Sequence, residues 1–419
     1  MKYRFRLLVS CLFLVTTFLL IFSYAMFQGG FVSWFLFFSF LPILIYEVAI
    51  LIYPIRKWKV GRHLSHYISN AGGAITVTLE VKRHFPFPLY YCILEDIMPD
   101  SLKTIDNHVE KFQYMNQPER IIVERKMKKM LLPGLKSTFS FTYRLEQIPR
   151  GEHQFQTVRI RTGDFFGLVK KEHYYAVSDL LIAYPNARPW VLEGQITNQQ
   201  EGNLLTASLR FTNANVATGI REYMPGDRFS WIDWKQTARK NTVMTKEFER
   251  EKGTNMLLVL DACNSSNPIV FEGMVEVTYS LLSYLGKQFI EAGLLTIGKS
   301  GDFYPSTYGL WEFDRMKEHL TQLQPHSNRV FSLAIQSYWN KLVNGGVLLF
   351  IVGNVDKPFV EMIKKLRQRT EYIHVLLVQP EEEQKKSASF VRQLSAFGVD
   401  TYEMTEHELM KTPLEVKRI

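Results

Sequence analysis

Between Arg221 and Glu251 the chain reads REYMPGDRFSWIDWKQTARKNTVMTKEFERE, which crowds acids, bases and hydroxyls into one short stretch. As an extended strand, its second half places Thr245, Glu247, Glu249 and Glu251 on one face and Met244, Lys246, Phe248 and Arg250 on the other. A row of carboxylates can serve as general acid and base, or as one wall of a binding surface. It can equally be neutralised by Arg221, Arg228 and Arg239 as a clamp, and ion-pair networks are commoner than active sites. Ahead of the row, Pro225-Gly226 has Pro at i+1 and Gly at i+2 of a type II turn. Asp227 is placed to cap the short helix that follows. In that helix Ile232 and Trp234 turn toward a core, and Asp233, Lys235 and Arg239 lie elsewhere around it.

Two further stretches have the spelling of chemistry. Gly293 to Ser300, GLLTIGKS, matches the phosphate-loop pattern G-x-x-x-x-G-K-[ST]. The match fails physically, because the four intervening residues are a strand and GDFYPSTYG after Ser300 cannot begin the helix that cradles a phosphate. Asp261-Ala-Cys-Asn-Ser265 directly follows the buried run MLLVL and offers hard oxygen donors at the end of a strand. No H-E-x-x-H and no G-x-S-x-G occurs, and the ten histidines are scattered. The three cysteines, Cys11, Cys92 and Cys263, have no metal or disulfide spacing, which fits a reducing compartment.

The elements that must position these groups divide the chain into four segments. Residues 1–59 read as a membrane hairpin, with apolar runs at about 7–27 and 31–53 broken at Gln28-Gly29-Gly30. Lys2, Arg4 and Arg6 precede the first run and Arg56, Lys57, Lys59 and Arg62 follow the second. Both termini are therefore expected in the cytoplasm of a multi-pass cell-membrane protein. Glu47, the one ionisable residue in the second run, falls near its end, where it can reach the interface. Residues 60–190 alternate in stretches such as AITVTLEVKR, with turn signals at Pro149-Arg150-Gly151 and Gly163-Asp164, and predict an antiparallel β-sandwich. Residues 191–255 hold a polar linker and the Arg221–Glu251 stretch. Residues 256–419 alternate short apolar strands with helices and predict a doubly wound α/β domain, whose ligands bind at the carboxyl ends of the strands. The fold class is thus multidomain, all-β plus α/β, behind two transmembrane helices. The net charge of +9 sits beside the spans and is otherwise interleaved with acids, which disfavours nucleic acid as a partner.

Two resemblances follow from these residues. Asp261-Ala-Cys-Asn-Ser265 resembles the D-x-S-x-S motif of von Willebrand factor A-like domains, where an Asp and two hydroxyls hold a divalent ion. The resemblance implies Asp261, Ser265 and Ser327 as ligands of Mg²⁺ or Ca²⁺ in a degenerate site. Cys263 replaces a hydroxyl, and Gly353-Asn354 stands where that family has an Asp. The longer stretch resembles the signature of the bacterial domain of unknown function 58 family, in which R-x-Y-x-x-G-D runs into I-x-W-x-x-[ST]-A-R. Arg221, Tyr223, Gly226, Asp227, Ile232, Trp234, Thr237, Ala238, Arg239 and Glu247 carry it. That resemblance implies a membrane-anchored, non-enzymatic adaptor working with a MoxR-type AAA+ ATPase, and beside it a transglutaminase-like membrane protein. Arg221, Tyr223, Gly226, Asp227, Asp233, Trp234, Arg239 and Glu247 would form its partner-binding surface. The alternative is a metal-dependent hydrolase built on the acidic signature and Asp261.

Overall fold

A computed structural model describes residues 2–191, 215–224, 232–240, 242–250, 256–263, 267–288, 290–299, 301–306, 310–326, 330–343, 346–370 and 372–418. It divides into two compact units, Met1–Asp106 with Ile122–Ala183 and Asn107–Ile121 with Tyr184–Ile419. The stretch Asn107–Ile121, inside the β-rich segment in sequence, thus groups with the second unit.

The first unit begins with helices α1 (Lys2–Gln28) and α2 (Phe31–Ile52). The chain reverses at Gly29, whose φ of +62° is a left-handed value that glycine adopts without steric cost. At about 1.5 Å per residue, the 22 residues of α2 reach roughly 33 Å, long and apolar enough to cross a bilayer core of about 30 Å. The apolar part described in α1, Leu12–Gln28, is shorter. Phe18 and Phe22 of α1 and Trp34 of α2 close around Phe37, with ring centroids 5.8–6.0 Å apart.

Two antiparallel sheets follow. One has strands β1 (Lys59–Leu64), β3 (Ile75–Lys82) and β6 (Thr138–Leu145) in the order β1-β3-β6. The other has β2 (Ile68–Asn70), β4 (Tyr91–Ile97), β5 (Met127–Leu131), β7 (Gly151–Gly163) and β8 (Lys170–Tyr184) in the order β2-β8-β7-β4-β5. Alternation sets which side chains go inward: Ile75, Val77, Leu79 and Val81 are buried, and their neighbours are not. In β7 a bulge between Phe155 and Thr157 shifts that parity, so Phe155 is followed inward by Val158 and Ile160. Both sheets contribute to one apolar core.

A buried ion pair crosses that core. Arg62 of β1 grips Asp96 of β4 through Nη2–Oδ1 at 2.6 Å and Nε–Oδ2 at 3.0 Å. The Tyr143 hydroxyl donates to the same carboxylate at 2.6 Å, and Asp179 takes a third guanidinium contact at 3.0 Å. Burial and that neighbouring carboxylate push the Tyr143 hydroxyl well above the usual phenol range.

The end of α2 is built into this unit. Tyr53, just beyond the helix, donates its hydroxyl to the Phe85 carbonyl at 2.6 Å and stacks on Phe87 at 4.9 Å. Its own carbonyl accepts a hydrogen bond from the Lys171 ammonium at 2.6 Å. Glu47 is 1 % exposed and lies beside Asp164, so protein encloses it.

The second unit centres on a seven-stranded sheet. Parallel strands β12 (Met256–Asp261), β13 (Ala292–Ile297), β15 (Val347–Val352), β16 (Tyr372–Val378) and β17 (Asp400–Met404) form its middle. β14 (Gly301–Tyr304) and β19 (Lys417–Arg418) close the edges antiparallel, giving the order β14-β13-β12-β15-β16-β17-β19. Every residue of β12, β13 and β15 is buried, as continuous apolar runs demand of strands covered on both faces. Gly298-Lys299 sits between β13 and β14, so the phosphate-loop spelling falls on a strand and its turn. From Phe331 to Val343 the chain is broken into short α and 3₁₀ turns.

Helix α4 (Pro268–Lys287) is anchored by an acid. The buried Glu276 pairs with Lys111 at 2.9 Å and with Arg188 Nε at 2.6 Å, and Arg188 also donates to the Leu409 carbonyl at 2.6 Å. Phe112 is fully buried one residue along, close to Gly273 of α4, where an added methyl group would come within 3.3 Å of it. Asn107–Ile121 is held to the second unit by these contacts.

Two outcomes are expected. Replacing Glu276 by Ala leaves Lys111 and Arg188 buried without their carboxylate and costs about 3–5 kcal/mol, measured by denaturant unfolding of the detergent-solubilised chain. Glu276→Gln, which keeps the shape and an acceptor, costs less. For Lys171, burial first and Arg56 second pull the ammonium down to about 8. The unfolded chain keeps that proton to higher pH, so stability rises as pH climbs through and above 8. Between pH 8 and 9 the gain over a Lys171→Met variant is about 1 kcal/mol, read from paired thermal melts.

Candidate functional site

Strand order locates the open end of the sheet. β12 has β13 on one side and β15 on the other, so successive connections leave it in opposite directions, and a crevice forms at the carboxyl ends. Asp261 closes β12 there. Its carboxylate is buried at 5 % exposure and accepts from the Cys263 amide at 2.8 Å, tightening its own turn. Cys263 is fully buried, and its thiol donates back to the Ile297 carbonyl at 3.3 Å. The sulfur therefore points at β13 and not at the open end. Ser265 and Ser327, the other expected ligands, lie outside the described residues. Among the described residues, no group of three or more His, Cys, Asp or Glu gathers as a metal set.

A cleft of about 350 Å³ opens beside this turn, past the ends of β15 and β16. Asn267, Asn354, Asp356, Gln379, Glu383, Lys386 and Ser387 supply its polar lining. Most of these groups are committed to the fold. Asn267 caps α4 by accepting from the Ile269 amide at 3.0 Å. Asp356 caps α6 (Lys357–Arg367; α5 is Leu310–Gln322) by accepting from the Phe359 amide at 2.9 Å. Gln379 donates to Ser387 at 2.7 Å and to Glu403 at 2.6 Å. Two acids line the cleft: Asp356, whose carboxylate is taken up in capping α6, and Glu383.

The signature stretch forms a separate two-stranded hairpin of β10 (Asn215–Glu222) and β11 (Met244–Arg250). Between them lies the seven-residue helix α3 (Trp234–Lys240). Asp233 caps that helix, its carboxylate accepting from the Lys235 and Gln236 amides at 3.1 Å each. Its carbonyl accepts from the Thr237 hydroxyl at 2.8 Å, and Thr237 also accepts from the Met244 amide at 3.0 Å. The cap of this helix is therefore Asp233. Gly226 and Asp227 themselves lie outside the described residues.

Trp234 is corrected. It occupies the first turn of a helix that buries none of its residues and is 69 % exposed, whereas Ile232 turns inward. The Arg221 guanidinium donates to the Glu222 carbonyl at 3.1 Å, and the Tyr223 amide donates to Val243 at 2.8 Å. Arg239 is exposed on α3 with Lys235 and Lys240. Glu247 lies opposite Gly219 in the hairpin register, and Thr245, on the expected acidic face, is fully buried. The backbone pairing thus brings Tyr223-Met224, Asp233-Trp234 and Val243-Met244 together at one end. Met224 and Val243, exposed beside Trp234, were not singled out by sequence, since only the hairpin register places them together.

Comparison with known proteins places this hairpin inside a family. Residues 219–390 match the model described as "Protein of unknown function DUF58". The Bacillus subtilis (strain 168) "Uncharacterized protein YeaD" is 36 % identical over 300 residues, covering 72 % of this chain and 71 % of the relative. Similarity to solved structures is slight. The CARDB domain of a Pyrococcus furiosus protein in complex with di-metal ions aligns at TM-score 0.19 and 8 % identity, covering 30 % of this chain and 87 % of that one. A conjugative transposon lipoprotein from Bacteroides eggerthii aligns at TM-score 0.16 and 11 % identity, covering 28 % and 95 %. At those scores neither structure informs the fold. The signature hairpin, the family match across it and the extended identity to the Bacillus relative lead to one conclusion: the chain belongs to the DUF58 family.

Proposed function

We propose that this protein is a membrane-anchored adaptor whose signature hairpin docks a cytoplasmic AAA+ ATPase of the MoxR type, with a transglutaminase-like membrane protein as a further partner. In this reading α1 and α2 both span the cell membrane, the two antiparallel sheets are a β-sandwich, and the second unit is a von Willebrand A-like domain facing the cytoplasm. The observation that carries it is the exposed Trp234 at the end of the hairpin, beside Met224 and Val243 and edged by Lys235, Arg239 and Lys240. An exposed Trp with an apolar rim is the usual anchor of a protein interface, and the surrounding cations suit an acidic partner surface. Asp233, one of the residues the signature resemblance assigns to the partner surface, caps α3.

A pull-down from detergent-solubilised membranes, with and without nucleotide, is expected to recover such an ATPase. Trp234→Ala is expected to weaken capture about 30-fold, the equivalent of roughly 2 kcal/mol at an interface anchor, with unchanged thermal stability because the side chain is exposed. No ATPase recovered in either condition sinks the reading.

The alternative, a metal-dependent hydrolase, draws on Asp261 at the open end of the sheet. Calorimetric titration with Mg²⁺, Mn²⁺ or Ca²⁺ is expected to give no saturable heat, since Asp261 already accepts from its own turn and Cys263 faces away. Saturable heat that disappears in Asp261→Asn would restore the hydrolase.

A further inference from the structure

Three loops of the first unit meet the last turns of α2, and each exposes large apolar side chains. His84–Tyr90 reads HFPFPLY, Leu132–Leu135 reads LPGL and Phe165–Leu168 reads FFGL. Phe85 is 68 % exposed, Leu132 68 %, Leu135 67 % and Phe165 64 %, with Tyr90 and Phe166 also exposed. Such residues are ordinarily buried, and a cluster of them open to water marks a contact surface.

Contacts fix where this surface sits along α2. Phe87 stacks between Tyr46 and Tyr53, at centroid distances of 5.8 and 4.9 Å. The Tyr46 hydroxyl donates to the Pro88 carbonyl at 3.0 Å. The Leu132–Leu135 turn is tied to the same loop, since the Leu89 amide donates to Gly134 at 3.3 Å and Arg83 donates to Gly134 at 3.1 Å. The third loop joins through Tyr90 and Phe165, edge to face at 4.9 Å, and through Asp164, which lies beside Glu47. Tyr46 and Glu47 are five to six residues inside the end of α2, roughly 9 Å along its axis. The loops therefore reach past the mouth of the helix to a depth where α2 is still apolar.

Charge narrows what can cover them. Arg56, Lys57, Lys59, Lys136 and Lys170 are exposed beside the loops, and Lys82 is paired with Glu80 at 3.0 Å. The one acid in or next to the three loops, Asp164, is 1 % exposed and accepts from the Leu168 and Val169 amides. Aromatic and aliphatic tips edged mainly by cations match the boundary between acyl chains and anionic headgroups.

We propose that these three loops form a collar that inserts into the cytoplasmic-side interface of the bilayer around α2, seating the first unit directly on the membrane. The collar rests on the reading of α2 as a span and adds a second, independent membrane contact. It also gives Glu47 its setting, because the Asp164 loop shields that carboxyl from lipid.

The test uses the full chain in phosphatidylethanolamine–phosphatidylglycerol vesicles. Cys11 is replaced by Ser, and Cys92 and Cys263 are buried and do not compete for reagent. Single cysteines at Leu135 and Phe165 carry an environment-sensitive fluorophore, as do Phe38 in α2 and Glu146 at the far end of β6. Lipid-borne nitroxide is expected to quench the labels at 38, 135 and 165, which lose quenching by aqueous iodide. The label at 146 behaves oppositely. Iodide quenching at 135 and 165 equal to that at 146, with 38 still quenched by lipid, overturns the collar and leaves the span standing. Loss of lipid quenching at 38 overturns the span and the collar with it. Protection at 135 and 165 from both quenchers shows that protein covers the loops and also overturns the proposal.

Discussion

Tyr53 is the joint on which the first unit depends. A helix that leaves an apolar medium carries unsatisfied carbonyls at its end, and each must find a donor. Here the donor is Lys171, brought in from β8, while the Tyr53 hydroxyl and ring hold the Phe85–Phe87 loop. One residue thus couples the last turn of α2 to both sheets. A flexible linker would leave the two sheets free to turn relative to α2. This joint instead fixes the sheets relative to α2, and the buried Arg62–Asp96 pair carries that rigidity across the core.

The second unit shows a different economy of polar groups. The carboxyl ends of parallel strands are where α/β sheets ordinarily gather reactive side chains. In this chain Asp261, Asn267 and Asp356 all lie there, and all three accept from nearby backbone amides. The exposed side chains with the most to offer a partner are on the hairpin of β10 and β11, away from the sheet's open end in sequence and in pairing.

Much of the architecture was legible because burial leaves a period in the sequence. The alternation in β3 and the unbroken apolar runs of β12 and β15 were read directly. What escaped were features set by contacts distant in sequence. Lys111, Phe112 and Arg188 carry no local pattern, yet they surround Glu276. Nothing in the helix of Glu47 shows that the Asp164 loop will cover its carboxyl. Trp234 read as core because its type is apolar, and only the start of α3, fixed by Asp233, turns it outward. The turn at Gly163-Asp164 was read from sequence, but the meeting of its loop with His84–Tyr90 and Leu132–Leu135 at one level along α2 was not.

The division of the chain has a consequence for its synthesis. The polypeptide passes between the two units three times, at about residues 106, 121 and 183. Lys111 and Phe112 leave the ribosome roughly 150 residues before the α4 helix that receives them. At about 5–20 residues per second that is an interval of roughly 10–30 s. During it the strands on either side of Asn107–Ile121 are already free to pair, and the segment hangs from them as an unmatched apolar and cationic loop. The first unit therefore presents, before the second exists, the piece on which α4 closes around Glu276.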